Sequence, residues 1–151
     1  MAASALAAGY VLVQGYPSVE DYLYMRATCN LSLRNAEQAA AALQGSWYGV
    51  YVAEEATPTE PIAMGRIIGD GGWYFLIADM MTLPEHQRKG LADVVLKNLL
   101  ATIKSRAAKG QAYVTLGADP PGRRLYQKNG FKDTMPQQMG MSLLIDAGGE
   151  Q

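Results

Sequence analysis

The sequence has few of the residues that build disulfide bonds and metal centres. Its 151 residues include one cysteine, Cys29, and one histidine, His86. A single cysteine excludes an internal disulfide, and one histidine with one cysteine does not make a metal-ligand cluster. We therefore expect no metal and no cross-link. Cys29 is expected to be a small packed residue, with an acyl carrier as the alternative. His86 is expected to have an exposed or hydrogen-bonding structural role, with a general base as the alternative.

Charge of one sign is not in excess either. The 13 basic and 14 acidic residues leave a formal net charge of -1, which argues against nucleic-acid or membrane binding driven by net charge. The chain shows no signal-peptide pattern and no apolar run long enough to span a membrane. We expect a cytoplasmic protein, with a nuclear location left open, that binds neither nucleic acid nor membrane.

Apolar residues, in contrast, are plentiful. The hydrophobic content of 49% is enough for one hydrophobic core, and a chain of 151 residues is too short for two. We expect a single domain over residues 10–146. An alanine-rich, poorly ordered lead-in, 1–9, precedes it, and a tail, 147–151, follows it.

Apolar periodicity predicts the elements of this domain. Helices are expected over 18–29, 34–43, 91–107 and 121–129. Strands are expected over 10–14, 47–53, 62–68, 73–83 and 112–117, with 131–132 and 139–145 as the last strands. The order β-α-α-β-β-β-α-β-α-β-β is that of an α/β protein in which helices cover a sheet.

A strand, a tight turn and a helix N-terminus follow one another between Met80 and Asp93. A helix N-terminus presents unpaired backbone N–H groups and the positive end of the macrodipole, so it favours anions. Gly90 removes side-chain bulk where a phosphate would approach, while Arg88 and Lys89 add positive charge. The turn therefore predicts a diphosphate site. An ordinary strand-to-helix turn with solvated basic residues is the alternative.

Two motifs, in this order along the chain, resemble those of the GNAT acetyltransferase superfamily. Gln87-Arg88-Lys89-Gly90-Leu91-Ala92 is similar to its Gln/Arg-x-x-Gly-x-Gly/Ala signature, and Leu125-Tyr126-Gln127-Lys128-Asn129-Gly130-Phe131 to its Leu-Tyr-x-x-x-Gly-Phe segment. The resemblance covers roughly residues 65–145. It implies the GNAT fold, a mixed central β-sheet flanked by helices on both faces, with acyl-coenzyme A in a gap between splayed strands four and five.

The resemblance also implies acetyl-coenzyme A as cosubstrate. Its pyrophosphate would lie on the turn, and its pantetheine arm would pair with strand-four backbone in the manner of an added strand. Asp119 stands where the family often has an asparagine that contacts the coenzyme, although we favour a helix N-cap there. The cofactor-binding residues expected are Met81, Leu83, Gln87, Arg88, Lys89, Gly90, Leu91, Ala92, Asp93 and Asp119. Core packing is the alternative for the side chains of Met81 and Leu83.

The resemblance makes Tyr126 the candidate catalytic acid. It occupies the place where many members keep a tyrosine near the sulfur, and a phenol can protonate the leaving thiolate at neutral pH. An ordinary packed aromatic is the alternative. Asp79 is the candidate general base, because a carboxylate inside an apolar strand is costly without a role. Its alternative is a structural carboxylate held by neighbouring groups.

The acceptor is the least defined part. Arg26 and Asp70 are candidates to contact it, with surface positions as the alternative. The resemblance implies an N-acetyltransferase that moves an acetyl group to a primary amine by direct transfer in a ternary complex. Nothing in the sequence distinguishes a small-molecule amine from a protein amine, and a homodimer is left open. A non-catalytic acyl-coenzyme A binding or sensing module is the alternative, since it would not need Tyr126 or Asp79.

Overall fold

The computed structural model describes residues 5–148. They fall into two compact units, one ending at Ala118 and the other beginning at Asp119. The elements are β1 (Tyr10–Gln14), α1 (Val19–Thr28), α2 (Ala36–Gln44), β2 (Tyr48–Glu54), β3 (Ala63–Gly69), β4 (Tyr74–Thr82), α3 (Leu91–Arg106), β5 (Tyr113–Thr115) and α4 (Arg123–Lys128), with short 3-10 turns at Pro84–His86 and Pro120–Gly122. The single domain expected over 10–146 stays a prediction. The expected lead-in lies partly outside the described residues, and residues 5–9 contain no helix or strand.

The first unit is built on a five-stranded mixed sheet. Its strands follow one another in sequence order, β1 to β5. β1 to β4 are antiparallel neighbours, whereas β5 lies parallel to β4 after the crossover through α3. The predicted strand and helix bounds of this unit are confirmed to within about two residues, which is the usual uncertainty of element ends.

Helices cover both faces of this sheet, as predicted. Successive side chains of a strand point to opposite faces. On one face, Met64 of β3 packs in a cluster with Tyr22 and Met25 of α1. On the other face, a Cβ added to Gly65 would lie 2.9 Å from atoms of both Val95 and Leu99 of α3. Glycine at 65 therefore lets α3 approach the sheet closely.

Local side-chain bonds fix where the first two helices begin. Ser18 caps α1 through its hydroxyl, which accepts from the Asp21 amide at 3.1 Å. Asn35 caps α2, because its side chain accepts from the Gln38 amide at 2.8 Å and the Gln38 side chain bonds back. Each such cap contributes about 1 kcal/mol. The cap on α2 was not predicted, and it fixes the neighbouring Arg34 and Gln38 at the start of that helix.

The second unit contains α4 and a C-terminal segment without regular structure. The strands expected over 131–132 and 139–145 are wrong, because no strand is present after Lys128 in the described residues. Met139, Met141, Leu143 and Ile145 keep the alternation of a strand, yet they are 69–97% exposed. Alternation alone does not make a strand, since the backbone also needs a neighbour to pair with. Among residues 5–148, no helix has the length and apolar character needed to cross a membrane.

Candidate functional site

The sheet opens between β4 and β5. Only Tyr74 to Leu76 of β4 pair with Tyr113 to Thr115 of β5. The following part of β4, from Ile77 to Thr82, has no partner strand on that side within the described chain. The gap that the resemblance implied is therefore present, and it lies where open α/β sheets place their ligands, beyond the carboxyl end of a parallel strand pair.

The register of β4 decides which backbone groups face this gap. The Leu83 amide donates to the Ile62 carbonyl at 2.8 Å, and Met81 is opposite Met64. Since hydrogen-bonded pairs alternate along an antiparallel ladder, Met81 and Leu83 both turn their amides toward β3. The outward groups belong to Thr82 and, by the same alternation, to Met80. An added strand would thus pair one residue away from the positions expected.

The turn after β4 has a backbone shaped for an anion. Arg88 and Gly90 both adopt left-handed conformations, with φ of 61° and 76°. Gly90 is the N-cap of α3 without a side-chain cap, and a Cβ added to it would meet nothing within 4 Å. The amides that follow, at Leu91 and Ala92, belong to the first helical turn, whose N–H groups have no partner within the helix. They carry the positive end of the macrodipole of α3, a helix of 16 residues.

One side chain of β1, Tyr10, holds this turn in place. The Tyr10 hydroxyl hydrogen-bonds His86 Nδ1 at 2.9 Å and accepts from Lys89 Nζ at 3.0 Å. The latter hydrogen bond raises the pKa of Lys89, so its charge is secure at neutral pH. The structural hydrogen-bonding role expected for His86 is confirmed. Asp93 is paired with Lys97 at 2.7 Å, so its negative charge near the helix N-terminus is balanced.

Asp79 lies at a bulge in β4 and is held by three donors. Its backbone is left-handed, with φ 53°, at the register shift between the pairs Met64–Met81 and Arg66–Ala78. Arg26 Nη1 donates at 2.5 Å, Arg66 Nε at 2.6 Å and the Tyr22 hydroxyl at 2.5 Å. Burial, and then the hydrogen bond to Asp79, raise the pKa of Tyr22. Both carboxylate oxygens are engaged, which favours the structural alternative; the general-base role stays a prediction.

A cavity of about 240 Å³ lies beside this cluster, on the α1 and α2 side of the sheet. Arg26 lines it but is 8% exposed, and all three of its nitrogens are occupied, by Asp79 and by Ser32. Its direct contact with an acceptor stays a prediction. Arg66 was missed, although a charged residue in the apolar β3 is the same kind of signal that identified Asp79. The cavity is lined by Tyr22, Arg26, Arg34, Gln38, Ala39, Ala42 and Arg66.

Asp70 organises the turn between β3 and β4. Its Oδ1 accepts from the amides of Gly72, Trp73 and Tyr74 at 2.8, 3.0 and 3.2 Å. These bonds, that of Tyr74 foremost, lower the pKa of Asp70. One carboxylate oxygen is thereby committed to the turn, and contact with the acceptor stays a prediction.

Cys29 is half-buried and packs against the core cluster of α1 and α2. Its thiol donates to the Thr82 carbonyl at 3.5 Å, and burial raises its pKa. A thiol with a raised pKa is a poor nucleophile, in keeping with the expected packing role. Within residues 5–148, no group of three or more histidine, cysteine or acidic residues could hold a metal ion.

Tyr126 belongs to the second unit, on α4. Its ring packs edge-on against Phe131, with the centroids 5.9 Å apart. Burial, and then the charge of Asp119, raise the pKa of its phenol, so the group is protonated at neutral pH. Its hydroxyl has no hydrogen-bond partner among the described residues. Asp119 occupies the N-cap position of the turn Pro120–Gly122, but its side chain makes no capping bond, so the expected cap is wrong in this respect.

Comparison with known proteins agrees with this geometry. The acetyltransferase (GNAT) domain family matches residues 46–133, a range that contains the β4 gap, the turn at Gly90 and Tyr126. No curated protein matches the chain significantly.

Solved structures of acetyltransferases have the same fold as this chain. A probable acetyltransferase from meticillin-resistant Staphylococcus aureus is 30% identical, with a TM-score of 0.82 over 90% of this chain and 99% of that one. Glucosamine-6-phosphate N-acetyltransferase from Arabidopsis thaliana is 17% identical, with a TM-score of 0.68 over 91% and 99%. The ribosomal-protein-S18-alanine N-acetyltransferase of Escherichia coli is 13% identical, with a TM-score of 0.68 over 83% and 79%. With a family match over more than half of its length and a sheet opened between β4 and β5, the chain belongs to the GNAT acetyltransferase family.

Proposed function

We propose that this protein transfers an acetyl group from acetyl-coenzyme A to a primary amine, by direct transfer in a ternary complex. The observation that carries the proposal is the continuity of two features. The edge of β4 that has no partner on its β5 side leads, through the short 3-10 turn Pro84–His86, into the left-handed turn at Arg88 and Gly90. The extended pantetheine arm of coenzyme A would pair with the strand edge, and its diphosphate would bind at the turn. The two features follow each other in the same order as these two parts of coenzyme A.

The turn would hold the diphosphate through backbone donors. The amides at the start of α3, after Gly90, would donate to its oxygens, and Arg88 and Lys89 would add charge. Lys89 is positioned for this by its hydrogen bond to Tyr10. The pantetheine arm would pair with the outward backbone of Thr82 and Met80, since Met81 and Leu83 face β3.

The transfer itself forms one bond and breaks another. The neutral amine nitrogen attacks the thioester carbonyl and forms the C–N bond, and the nitrogen of the tetrahedral intermediate then gives up one proton to water. The intermediate collapses as its C–S bond breaks, and the departing thiolate takes up a proton. Tyr126 is our candidate for that proton donor, because it lies in the segment that resembles the family's Leu-Tyr-x-x-x-Gly-Phe motif. Its phenol is protonated at neutral pH, and burial raises its pKa further. Holding the two substrates in line supplies a further share of the rate. We assign Asp79 to ordering Arg26 and Arg66, with proton removal from the amine as the competing role.

The acceptor is proposed as a class. The two named relatives act, by their names, on an amino sugar phosphate and on a protein alanine, so small-molecule and protein amines both enter the first panel. Glucosamine-6-phosphate and a short peptide with a free N-terminal alanine represent them.

Two measurements test the proposal. Titration calorimetry with acetyl-coenzyme A should give a saturable binding isotherm, and the same ligand should raise the Tm because it binds the native state. Release of free coenzyme A thiol, followed with each amine of the panel, should then exceed the rate without amine. Absence of binding would overturn the family-based function. Binding without turnover of any amine would favour the sensing module.

A further inference from the structure

The cavity beside Asp79 has a strong excess of positive charge. Three of its lining residues are Arg26, Arg34 and Arg66, and none is acidic. Asp79 neutralises one of the three charges through its two ion pairs. Three guanidiniums against one carboxylate leave a net charge of +2 around a space of about 240 Å³.

Two of these arginines have donors to spare. Arg66 gives Nε to Asp79 and Nη1 to the Ser46 hydroxyl at 3.0 Å. Its Nη2 has no hydrogen-bond partner in the described part of the chain. Arg34 gives Nη1 to the Leu33 carbonyl at 2.8 Å, and across residues 5–148 its Nε and Nη2 have no partner. A guanidinium is satisfied best by a carboxylate or phosphate that accepts two parallel bonds.

The burial of Arg66 makes this excess costly in the empty protein. Its side chain is 11% exposed, and a charge removed from water is destabilising unless it is paired. Asp79 balances one of the two buried guanidiniums, Arg26 or Arg66, but not both. An anionic ligand would supply the second negative charge, while Arg34 and Gln38 at the exposed start of α2 would close over it.

We propose that this cavity binds an anionic group, a carboxylate or a phosphate monoester, carried by the acceptor amine. The inference rests on the proposed function, whose acceptor it narrows. The position is suitable because Asp79, which holds both buried arginines, directly precedes Met80 of the edge proposed for the pantetheine arm. Successive strand residues are roughly 3.3 Å apart, so the carboxylate that holds the two buried arginines lies next to the edge proposed for the pantetheine arm, and small amines are the acceptors to test first.

Matched amines test the proposal. Ethanolamine and O-phosphoethanolamine differ by a phosphate, and β-alaninamide and β-alanine differ by a carboxylate. We expect the anionic member of at least one pair to have a kcat/KM at least about tenfold higher, the range of a lost charge-assisted hydrogen bond. The pair with the larger ratio identifies the anion.

Arg34→Ala is the variant of choice, since its removal costs only a bond to the neighbouring Leu33 carbonyl. It should lower kcat/KM for the preferred anionic amine about tenfold and leave the neutral member and the acetyl-coenzyme A affinity unchanged. Lys104→Ala is the control, because it removes the same charge from an exposed site on α3. An equal loss in Lys104→Ala would overturn the cavity assignment, and so would equal kcat/KM within both amine pairs, with the transferase function intact.

The transferase function and the anion-binding cavity can be tested independently of each other. If acetyl-coenzyme A binds but none of the four amines turns over, calorimetry of each amine against the coenzyme A complex replaces the rate. Binding of O-phosphoethanolamine or β-alanine that Arg34→Ala weakens would support the anion site. Absence of such binding would overturn it.

Discussion

The hydroxyl of Tyr22 donates to the carboxylate of Asp79 across 2.5 Å, joining α1 to the bulge in β4 over 57 positions of sequence. Asp79 also accepts from two arginines, so one buried carboxylate holds a helix and two strands together. The side chain is 8% exposed, a depth at which an ion pair is costly to break. Removal of the Asp79 carboxylate should therefore lower the free energy of unfolding, whatever its effect on turnover.

Asp79→Asn should destabilise the protein by about 3 kcal/mol, because it leaves two buried guanidiniums without their counter-charge. That corresponds to a Tm lowered by roughly 10 °C. Thermal denaturation measures it, and Tyr22→Phe is the comparison, since it removes one neutral donor at a cost of about 1 kcal/mol. A variant with unchanged Tm but greatly reduced kcat would instead support the general-base role.

Gly90→Glu should abolish detectable acetyl-coenzyme A binding, because it adds bulk and negative charge where the diphosphate would lie. The left-handed φ of 76° also adds about 1–2 kcal/mol of strain for a residue with a Cβ. Gly110→Glu is the control, as Gly110 has positive φ and open space beyond the other end of α3. Calorimetry should find the affinity of the control for acetyl-coenzyme A within about twofold of that of the wild type. Equal losses of affinity in both variants would show that backbone strain, and not obstruction of the diphosphate, is the cause.

Thr82→Pro should weaken acetyl-coenzyme A binding by about tenfold, since it deletes one outward backbone donor that pairs with no strand. The fold should tolerate it, because proline is accepted where the N–H faces away from a ladder. Leu83→Pro deletes instead the amide that donates to Ile62, and should lower the Tm. If the two variants exchange these effects, the register argument for Thr82 is wrong.

Tyr126→Phe should lower kcat by at least about tenfold while acetyl-coenzyme A affinity is kept, because only the proton donor is removed. Tyr24→Phe, at a tyrosine 60% exposed on α1, controls for loss of a phenol. Burial raises the pKa of Tyr126 above its usual 10.0, so the protonated acid persists below pH 10. Its contribution to kcat and to stability should be lost only as the pH rises past that value. A wild-type rate in Tyr126→Phe would remove the acid assignment.

Cys29→Ala should retain turnover within about twofold, because burial raises the pKa of the thiol and makes it a poor acyl carrier. Mass spectrometry of the wild type incubated with acetyl-coenzyme A should find no acetyl adduct on Cys29. An adduct formed at the rate of turnover would replace direct transfer with a covalent route.

The sequence predicted the first unit well because its signals are local. The sequence predicts the strand Tyr10–Gln14 with its observed bounds, since its β-branched and aromatic residues and the following Gly-Tyr-Pro define it without help from the rest of the chain. The turn at Gly90 was equally local, as it depends on a glycine, its basic neighbours and the start of an apolar helix.

Features that depend on distant partners were not predictable in the same way. The sequence predicts pantetheine pairing near Met81 and Leu83, but the direction of a backbone amide is fixed by pairing with β3, which the sequence of β4 alone does not show. The anion cavity needs α2 and β3 side by side, which no local pattern encodes for Arg34 and Arg66. The segment 139–145 shows the converse, because it has a strand's alternation without the neighbour that would make it one.

The opening between β4 and β5 also bears on how the protein behaves in storage and in concentrated solution. An unpaired strand edge is a template on which another chain can add and begin aggregation, and most sheets keep such edges at their margins and guard them. Here the stretch of β4 that pairs with β3 but has no partner on its β5 side, Ile77 to Thr82, lies between the segment of β4 that pairs with β5 and the start of α3. A ligand that pairs with this stretch also prevents another chain from pairing there. Acetyl-coenzyme A should therefore slow aggregation even under conditions in which no amine is acetylated.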